Sequence, residues 1–368
     1  MPTRPTGPAP RFVANPSAGG LPERPSRAVY DWHRALPGYA ATPLRELPDL
    51  AGQLGLERLW VKDETDRFGL PAFKILGASW ASEVALAQLA ARPAVPVLVA
   101  ATDGNHGRAV ARVARRAGCR ARIFLPADTA PARIEAIRAE GAEIDARERS
   151  YDDAVRAAAD FADASADAVL VSDTAFHPAD PVPRATIDGY GTIFWEIGDV
   201  FARTGDPWPD LVTVQIGVGG LAAATARFLR HHAPGRPFIC GVEPVDAGCA
   251  AASVGRDTPA QIESDFRSVM VGLNAGRLSS AAWPDLATAL DGFLTVADEW
   301  ALLARDALRE RGIPAGDTGA AGLAGLLALR QLAAERDDPA LAGARTARRA
   351  LVVVTEGRTD DPDAVPRR

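Results

Sequence analysis

What this chain of 368 residues lacks narrows its class quickly. It has no uninterrupted run near the roughly 18 apolar residues that suggest a membrane span. It has no excess of positive charge, since 41 basic residues face 47 acidic ones for a net charge of −6. That balance argues against the basic stripes of a nucleic-acid surface and is too mild to call for a polycationic partner, which leaves small molecules. The three cysteines, Cys119, Cys240 and Cys249, show neither metal-ligand spacing nor a disulfide framework, and read as small buried or half-buried thiols. The five histidines include no HExxH pair, and His231 and His232 only end an Ala- and Arg-rich helix, so no metal is expected. The N-terminal stretch MPTRPTGPAP is Pro-rich and lacks the apolar region of a signal peptide. Residues 1–27 are therefore expected as a disordered lead-in, and the protein as cytoplasmic.

Lysine is the most telling shortage. Of the 41 basic residues only Lys62 and Lys74 are lysines. Arginine cannot replace lysine where a neutral amine must form a Schiff base, so the retained lysines are the ones to inspect for amine chemistry. Lys74 ends Arg67-Phe68-Gly69-Leu70-Pro71-Ala72-Phe73-Lys74, a loop with Gly and Pro that leads into an apolar helix start. A snorkelling surface lysine is the ordinary alternative at such a place.

The chain exceeds the size at which single hydrophobic cores stop growing, so two domains are expected. Short β-branched runs alternate with Ala-rich stretches of helical period, the pattern of βαβ units around a parallel sheet. Strands are expected at Leu59–Lys62, Val97–Ala101, Ala121–Leu125, Ala168–Ser172, Leu211–Ile216, Phe238–Glu243 and Leu351–Thr355. Helices are expected at Phe73–Ala91, Asn105–Ala117, Ala132–Glu140, Tyr151–Ala164, Gly189–Arg203, Leu221–His232, Glu299–Arg311 and Gly319–Glu335.

Two of these strands run into glycine-containing loops: Thr102-Asp103-Gly104-Asn105-His106-Gly107, and Gly217-Val218-Gly219-Gly220. Between a strand and a helix, exposed backbone N–H groups and the helix dipole favour anions. Two such loops suggest one ligand with several anionic groups, or a cofactor plus a substrate. The second loop alone reads equally as a phosphate cradle, a tight turn or part of a dinucleotide site. Against the last, the GxGxxG match fails at Ala222, although Glu243 lies about 20 residues on. In the first loop, an Asp or Asn capping the helix is the plain alternative to a functional Asp103.

At this point the sequence resembles the pyridoxal 5′-phosphate (PLP) enzymes of fold type II, and within them the diaminopropionate ammonia-lyase family. The resemblance runs from about Leu36 to Asp361. Its early stretches are Thr42-Pro43-Leu44, Val61-Lys62-Asp63-Glu64-Thr65, Arg67-Phe68-Gly69-Leu70 with Phe73-Lys74, and Ala101-Thr102-Asp103-Gly104-Asn105-His106-Gly107-Arg108. They continue with Asp173-Thr174-Ala175, Gly189-Tyr190-Gly191-Thr192, Gly217-Val218-Gly219, Val271-Gly272-Leu273-Asn274 and Thr355-Glu356-Gly357. The Asp103-Gly104-Asn105-His106 string discriminates best, because related dehydratases and synthases carry a small hydroxyl or apolar residue where Asp103 stands. The chain departs from the family at Phe176-His177, where a Trp and an acidic residue are usual. It departs again at Arg184-Ala185-Thr186-Ile187-Asp188-Gly189-Tyr190, in place of an aromatic stretch ending in Gln-Gly-Tyr, and at Pro71 and Arg358.

The resemblance implies an α/β protein of two doubly wound open-sheet domains, the smaller inserted in the larger. The large one would comprise 28–77 and 191–361 and the smaller 78–190, with 362–368 a tail. It implies a homodimer, a small amino-acid substrate, and PLP held by Lys74. Gly217, Val218, Gly219, Gly220 and Leu221 would hold the phosphate, Asn105 would contact the ring hydroxyl, and Thr355 would face the pyridine nitrogen. Thr102, Asp103, Gly104 and His106 would bind the substrate carboxylate through backbone amides. Asp173 is a second acidic candidate, with helix capping in Ser172-Asp173-Thr174 as its alternative.

The expected activity is α,β-elimination from 2,3-diaminopropionate to pyruvate and ammonia. An amine leaves well only as neutral ammonia, so the group on C3 must stay protonated. A carboxylate at Asp103 would attract that ammonium and relay protons to Cα or to the leaving nitrogen. Two rivals stand beside this reading. One is elimination or replacement on a hydroxy- or thio-amino acid, as in serine/threonine dehydratases or cysteine synthase. The other is a non-catalytic PLP- or nucleotide-binding module.

Overall fold

The computed structural model describes residue 5 and residues 7–89, 95–102, 104–148 and 151–358. Eleven strands appear among them: β1 (Arg11–Ala14), β2 (Leu44–Glu46), β3 (Arg58–Asp63), β4 (Val97–Ala101), β5 (Arg120–Pro126), β6 (Glu143–Glu148), β7 (Ala168–Leu170), β8 (Leu211–Gln215), β9 (Phe238–Pro244), β10 (Gly292–Val296) and β11 (Arg349–Val354). They form a seven-stranded sheet in the order β1-β10-β9-β8-β11-β3-β2 and a four-stranded sheet in the order β6-β5-β4-β7. All pairs are parallel except the two edges, where β1 runs against β10 and β2 against β3. The α/β class with doubly wound parallel sheets, expected from the sequence, is the observed one. The strands β8 and β10 are buried along their whole length, as central parallel strands covered on both faces are.

Each sheet has a switch point. The chain builds β4, β5 and β6 outward in one direction and then returns to set β7 on the other side of β4. In the larger sheet it builds β8, β9 and β10 outward, then sets β11 on the other side of β8. Ligand crevices of open α/β sheets lie outside the carboxyl ends of strands at such points. The loops after β4 and β7, and those after β8 and β11, are thereby singled out by topology alone.

The helices Lys74–Leu89 and Pro181–Thr204 bring the two sheets' elements together. They cross at Gly189, where an added Cβ would lie 2.3 Å from the Leu76 carbonyl oxygen. Only glycine permits that approach, and it sets the start of one helix, Lys74, beside Tyr190 of the other. The second helix begins at Pro181 and not near Gly189 as the sequence suggested. Pro181 and Pro183 fall in its first turn, where no N–H donor is needed, and Asp180 caps it through Val182 N at 3.2 Å.

The expected disordered lead-in over 1–27 is corrected for residues 11–26. Arg11–Ala14 pairs with β10 and covers what would otherwise be an open sheet edge. Asn15 Nδ2 then donates to the carbonyls of Ala287 and Leu290, both at 2.8 Å, and Ser26 caps a helix over Arg27–Ala35. No helix among the described residues is long and apolar enough to cross a membrane.

Candidate active site

One cavity of about 180 Å³ opens where the two switch points face each other. Its walls include Lys74, Thr102, Gly104, Asn105 and His106 after β4, and Asp173 after β7. From the larger sheet come Gly217, Val218, Gly219, Gly220 and Leu221 after β8, and Thr355 after β11. Every site residue expected from the sequence therefore meets in one place, except Asp103, which lies outside the described residues.

Lys74 is positioned by backbone. Phe73 N donates to the Thr355 carbonyl at 3.1 Å and Gly357 N to that of Pro71 at 2.9 Å, tying the loop before Lys74 to the end of β11. Lys74 Nζ donates to Asp173 Oδ2 at 2.8 Å, and the lysine side chain keeps 23% of its exposure. Its Nζ also lies 5.7 Å and 5.9 Å from the ring centres of Phe73 and Tyr190. Burial alone would raise the Asp173 carboxyl, but Lys74 and His106 beside it hold it well below the usual carboxylate range. Asp173 is thus an anion in a shielded site. The helix-cap alternative for it falls away, since the next helix starts at Pro181 with Asp180 as its cap.

Lys62, the other lysine, is elsewhere. It is 1% exposed and donates to Glu196 Oε2 at 2.5 Å and to the Thr42 carbonyl at 2.7 Å. Arg67 completes a charge-balanced buried cluster, through Glu64 Oε2 at 2.8 Å and Glu196 Oε1 at 2.7 Å. Its amine is buried within that cluster, away from the cavity.

The glycine loop after β8 is shaped for an anion. A Cβ on Gly217 would lie 2.8 Å from the Gly272 carbonyl oxygen, and Gly219 sits at φ +97°, a left-handed conformation that disfavours side chains. The loop opens the 13-residue helix Gly220–His232, whose first N–H groups and positive dipole end face the cavity.

Three wall residues carry features that motif reading missed. Tyr190 is 1% exposed, and burial pushes its hydroxyl up to about 12 although Lys74 beside it acts the other way. Glu356 accepts a short hydrogen bond from Asn105 Nδ2. Gln215, the last residue of β8, donates from Nε2 to Thr355 Oγ1 at 2.9 Å. Tyr190 and Glu356 stood inside matched motifs, so position was the available signal. Gln215 showed only as a polar residue in an apolar strand. The ring of His106 is engaged by the Val171 carbonyl at 2.8 Å, which leaves its backbone for ligand contact.

An amine in a cleft, an anionic carboxylate on it and a glycine-lined helix start opposite define a site for an aldehyde cofactor bearing a phosphate. Residues 35–342 match the sequence profile of the family described as pyridoxal-phosphate dependent enzyme, and the chain belongs to that family. It is similar to the diaminopropionate ammonia-lyase of Salmonella typhimurium, with 34% identity over 329 residues, or 81% of this chain and 80% of that protein. In three dimensions it is similar to the diaminopropionate ammonia lyase from Escherichia coli in complex with an aminoacrylate-PLP azomethine reaction intermediate. There the TM-score is 0.86 at 29% identity, covering 96% of this chain and 95% of that one. A threonine deaminase from T.th. is more distant in shape, with a TM-score of 0.73 at 28% identity, over 90% of this chain and 97% of that one. The cofactor is pyridoxal phosphate, and the cradle at residues 217–221 with the amine of Lys74 fits its two ends.

Proposed function

We propose that this enzyme eliminates ammonia from 2,3-diaminopropionate, forming pyruvate and ammonium. The substrate with both amines protonated, plus one water, gives pyruvate and two ammonium ions, which balances atoms and charge. The observation that carries the reading is the ionised Asp173 on Lys74, in a chain 34% identical to a diaminopropionate ammonia-lyase. This substrate differs from serine by a second ammonium on C3, and acidic groups in a shielded cleft attract it.

When bound, PLP supplies the electron sink that acidifies the substrate Cα–H. The chain's residues do the rest. Lys74 carries the cofactor, and its Nζ can exchange a proton with Asp173 Oδ2. Gly217 to Leu221 bind the phosphate through backbone amides. Asn105, oriented by Glu356, donates to the ring hydroxyl, and Thr355 faces the pyridine nitrogen. The backbone of Thr102, Asp103, Gly104 and His106 receives the substrate carboxylate. Asp103 attracts the 3-ammonium and moves a proton at Cα or at the leaving nitrogen. Pyruvate release over a panel of 3-substituted alanines tests the reading: 2,3-diaminopropionate should turn over fastest. Release from serine with none from 2,3-diaminopropionate would overturn it.

We further propose a cytoplasmic homodimer in which 28–77 with 191–361, joined by the strand Arg11–Ala14, form the PLP-binding domain and 78–190 the smaller one. The two separate sheets and three free cysteines support this, and light scattering on the purified protein checks the dimer.

A further inference from the structure

The amide of Gln215 stands behind the Thr355 hydroxyl, and its direction is fixed by the protein. β8 and β11 are parallel neighbours, with Val352 opposite Thr213. Gln215 lies two residues beyond Thr213, and its side chain reaches across to Thr355, the residue that follows β11. It is 3% exposed. Three acceptors surround its Nε2: Thr355 Oγ1 at 2.9 Å, the Val353 carbonyl at 3.1 Å and the Gly319 carbonyl at 3.4 Å. Turning the amide over would set its oxygen against two carbonyl oxygens, so the nitrogen must be the atom that meets Thr355.

The other end of the amide is equally constrained. Gln215 Oε1 is buried and meets no donor among the described residues, so the amide is held by its donor end. Room for it exists because residue 322 is glycine, where a Cβ would lie 2.9 Å from Oε1 and 3.3 Å from the Val353 carbonyl.

A threonine hydroxyl has one hydrogen. Since Thr355 Oγ1 accepts from Gln215, that hydrogen is directed elsewhere. Thr355 is 2% exposed, lines the cavity, and its O–H meets no acceptor among the described residues. We propose that Gln215 is a positioning residue that turns the Thr355 hydroxyl into an obligate donor toward the cofactor's pyridine nitrogen, and so keeps that nitrogen unprotonated. The proposal rests on the reading that Thr355 faces the ring nitrogen. A nitrogen that accepts a hydrogen bond holds its lone pair and withdraws electrons less strongly than a pyridinium. Elimination is thereby favoured over reactions that need a long-lived carbanion.

The test is the ¹⁵N resonance of the pyridine nitrogen in holoenzyme loaded with ¹⁵N-labelled PLP, followed against pH. In the wild-type protein it should sit at the unprotonated position throughout the stable range. A protonated wild-type nitrogen would sink the Thr355 reading itself. In Gln215→Glu the carboxylate can only accept, so it takes the Thr355 hydrogen, leaves an oxygen lone pair facing the ring, and the resonance should move to the protonated position. Gln215→Met keeps the shape without the donor and serves if the charged variant does not fold. Its nitrogen should become titratable, and adding Thr355→Val to it should change the titration no further than Thr355→Val alone. An unprotonated wild-type nitrogen that stays so in both Gln215 variants would overturn the proposal and leave the Thr355 reading intact.

Discussion

The two lysines of this chain have nearly the same immediate partner and opposite surroundings. Lys62 bonds Glu196 at 2.5 Å and Lys74 bonds Asp173 at 2.8 Å. Around Lys62 the neighbours are Glu64, Arg67 and the Thr42 carbonyl, and only 1% of the side chain is exposed. Around Lys74 there is a cavity, a glycine loop and 23% exposure. A carboxylate beside an amine thus marks neither structure nor chemistry by itself. What separates the two is whether a second molecule can reach the nitrogen.

The sharpest way to break the comparison is to remove each amine. Lys74→Ala should abolish pyruvate formation while leaving the fold intact, as circular dichroism would record. Turnover that survived would put the chemistry elsewhere. The next largest effect is expected at Asp103→Asn, which keeps shape and loses charge and proton exchange. Turnover of 2,3-diaminopropionate should fall by about 10²–10⁴-fold, the range for a lost acid–base group. 3-Chloroalanine, whose leaving group needs no proton, should lose less. Equal losses would assign Asp103 to the Cα proton or to loop shape.

Lys62→Met should do the reverse of Lys74→Ala. It leaves Glu196 and Glu64 with one cation between them in a buried site, a loss of about 3–5 kcal/mol in denaturant unfolding. PLP binding under native conditions should persist. Lost PLP with unchanged stability would invert the roles of the two lysines.

The smallest expected effect is on acid stability. Burial would raise the Glu196 carboxyl, but Arg67 and Lys62 hold it down to about 2 from an ordinary 4.5. A folded value below the unfolded one means the cluster's stabilisation is complete above about 4.5 and is lost as pH falls toward 2. Thermal melts from pH 6 downward should show Lys62→Met approaching wild type in that window. A gap that stays constant would contradict the assignment.

Much of this was legible in the sequence, for identifiable reasons. Val97–Ala101, Asn105–Ala117 and Tyr151–Ala164 have the expected bounds, because a β-branched run and amphipathic periods leave no ambiguity. The strand Glu143–Glu148 was invisible, since an exposed edge strand reading EIDARE resembles a loop. Gly292–Val296 is not among the expected strands, because it opens on a glycine, which weakens a strand signal. At the site, the loops at strand ends are local features and were readable. Gln215 and the Asn105–Glu356 pair were not, because each joins residues more than a hundred positions apart. Such contacts follow from strand order, which the sequence does not print.

The central claim is that Lys74, of the chain's two lysines, carries the cofactor. Borohydride reduction of the holoenzyme fixes PLP permanently to the amine that holds it, and peptide mapping then reads the residue. The account predicts the phosphopyridoxyl label on the peptide containing Phe73-Lys74 and none on the peptide containing Val61-Lys62. A label on Lys62 would contradict it.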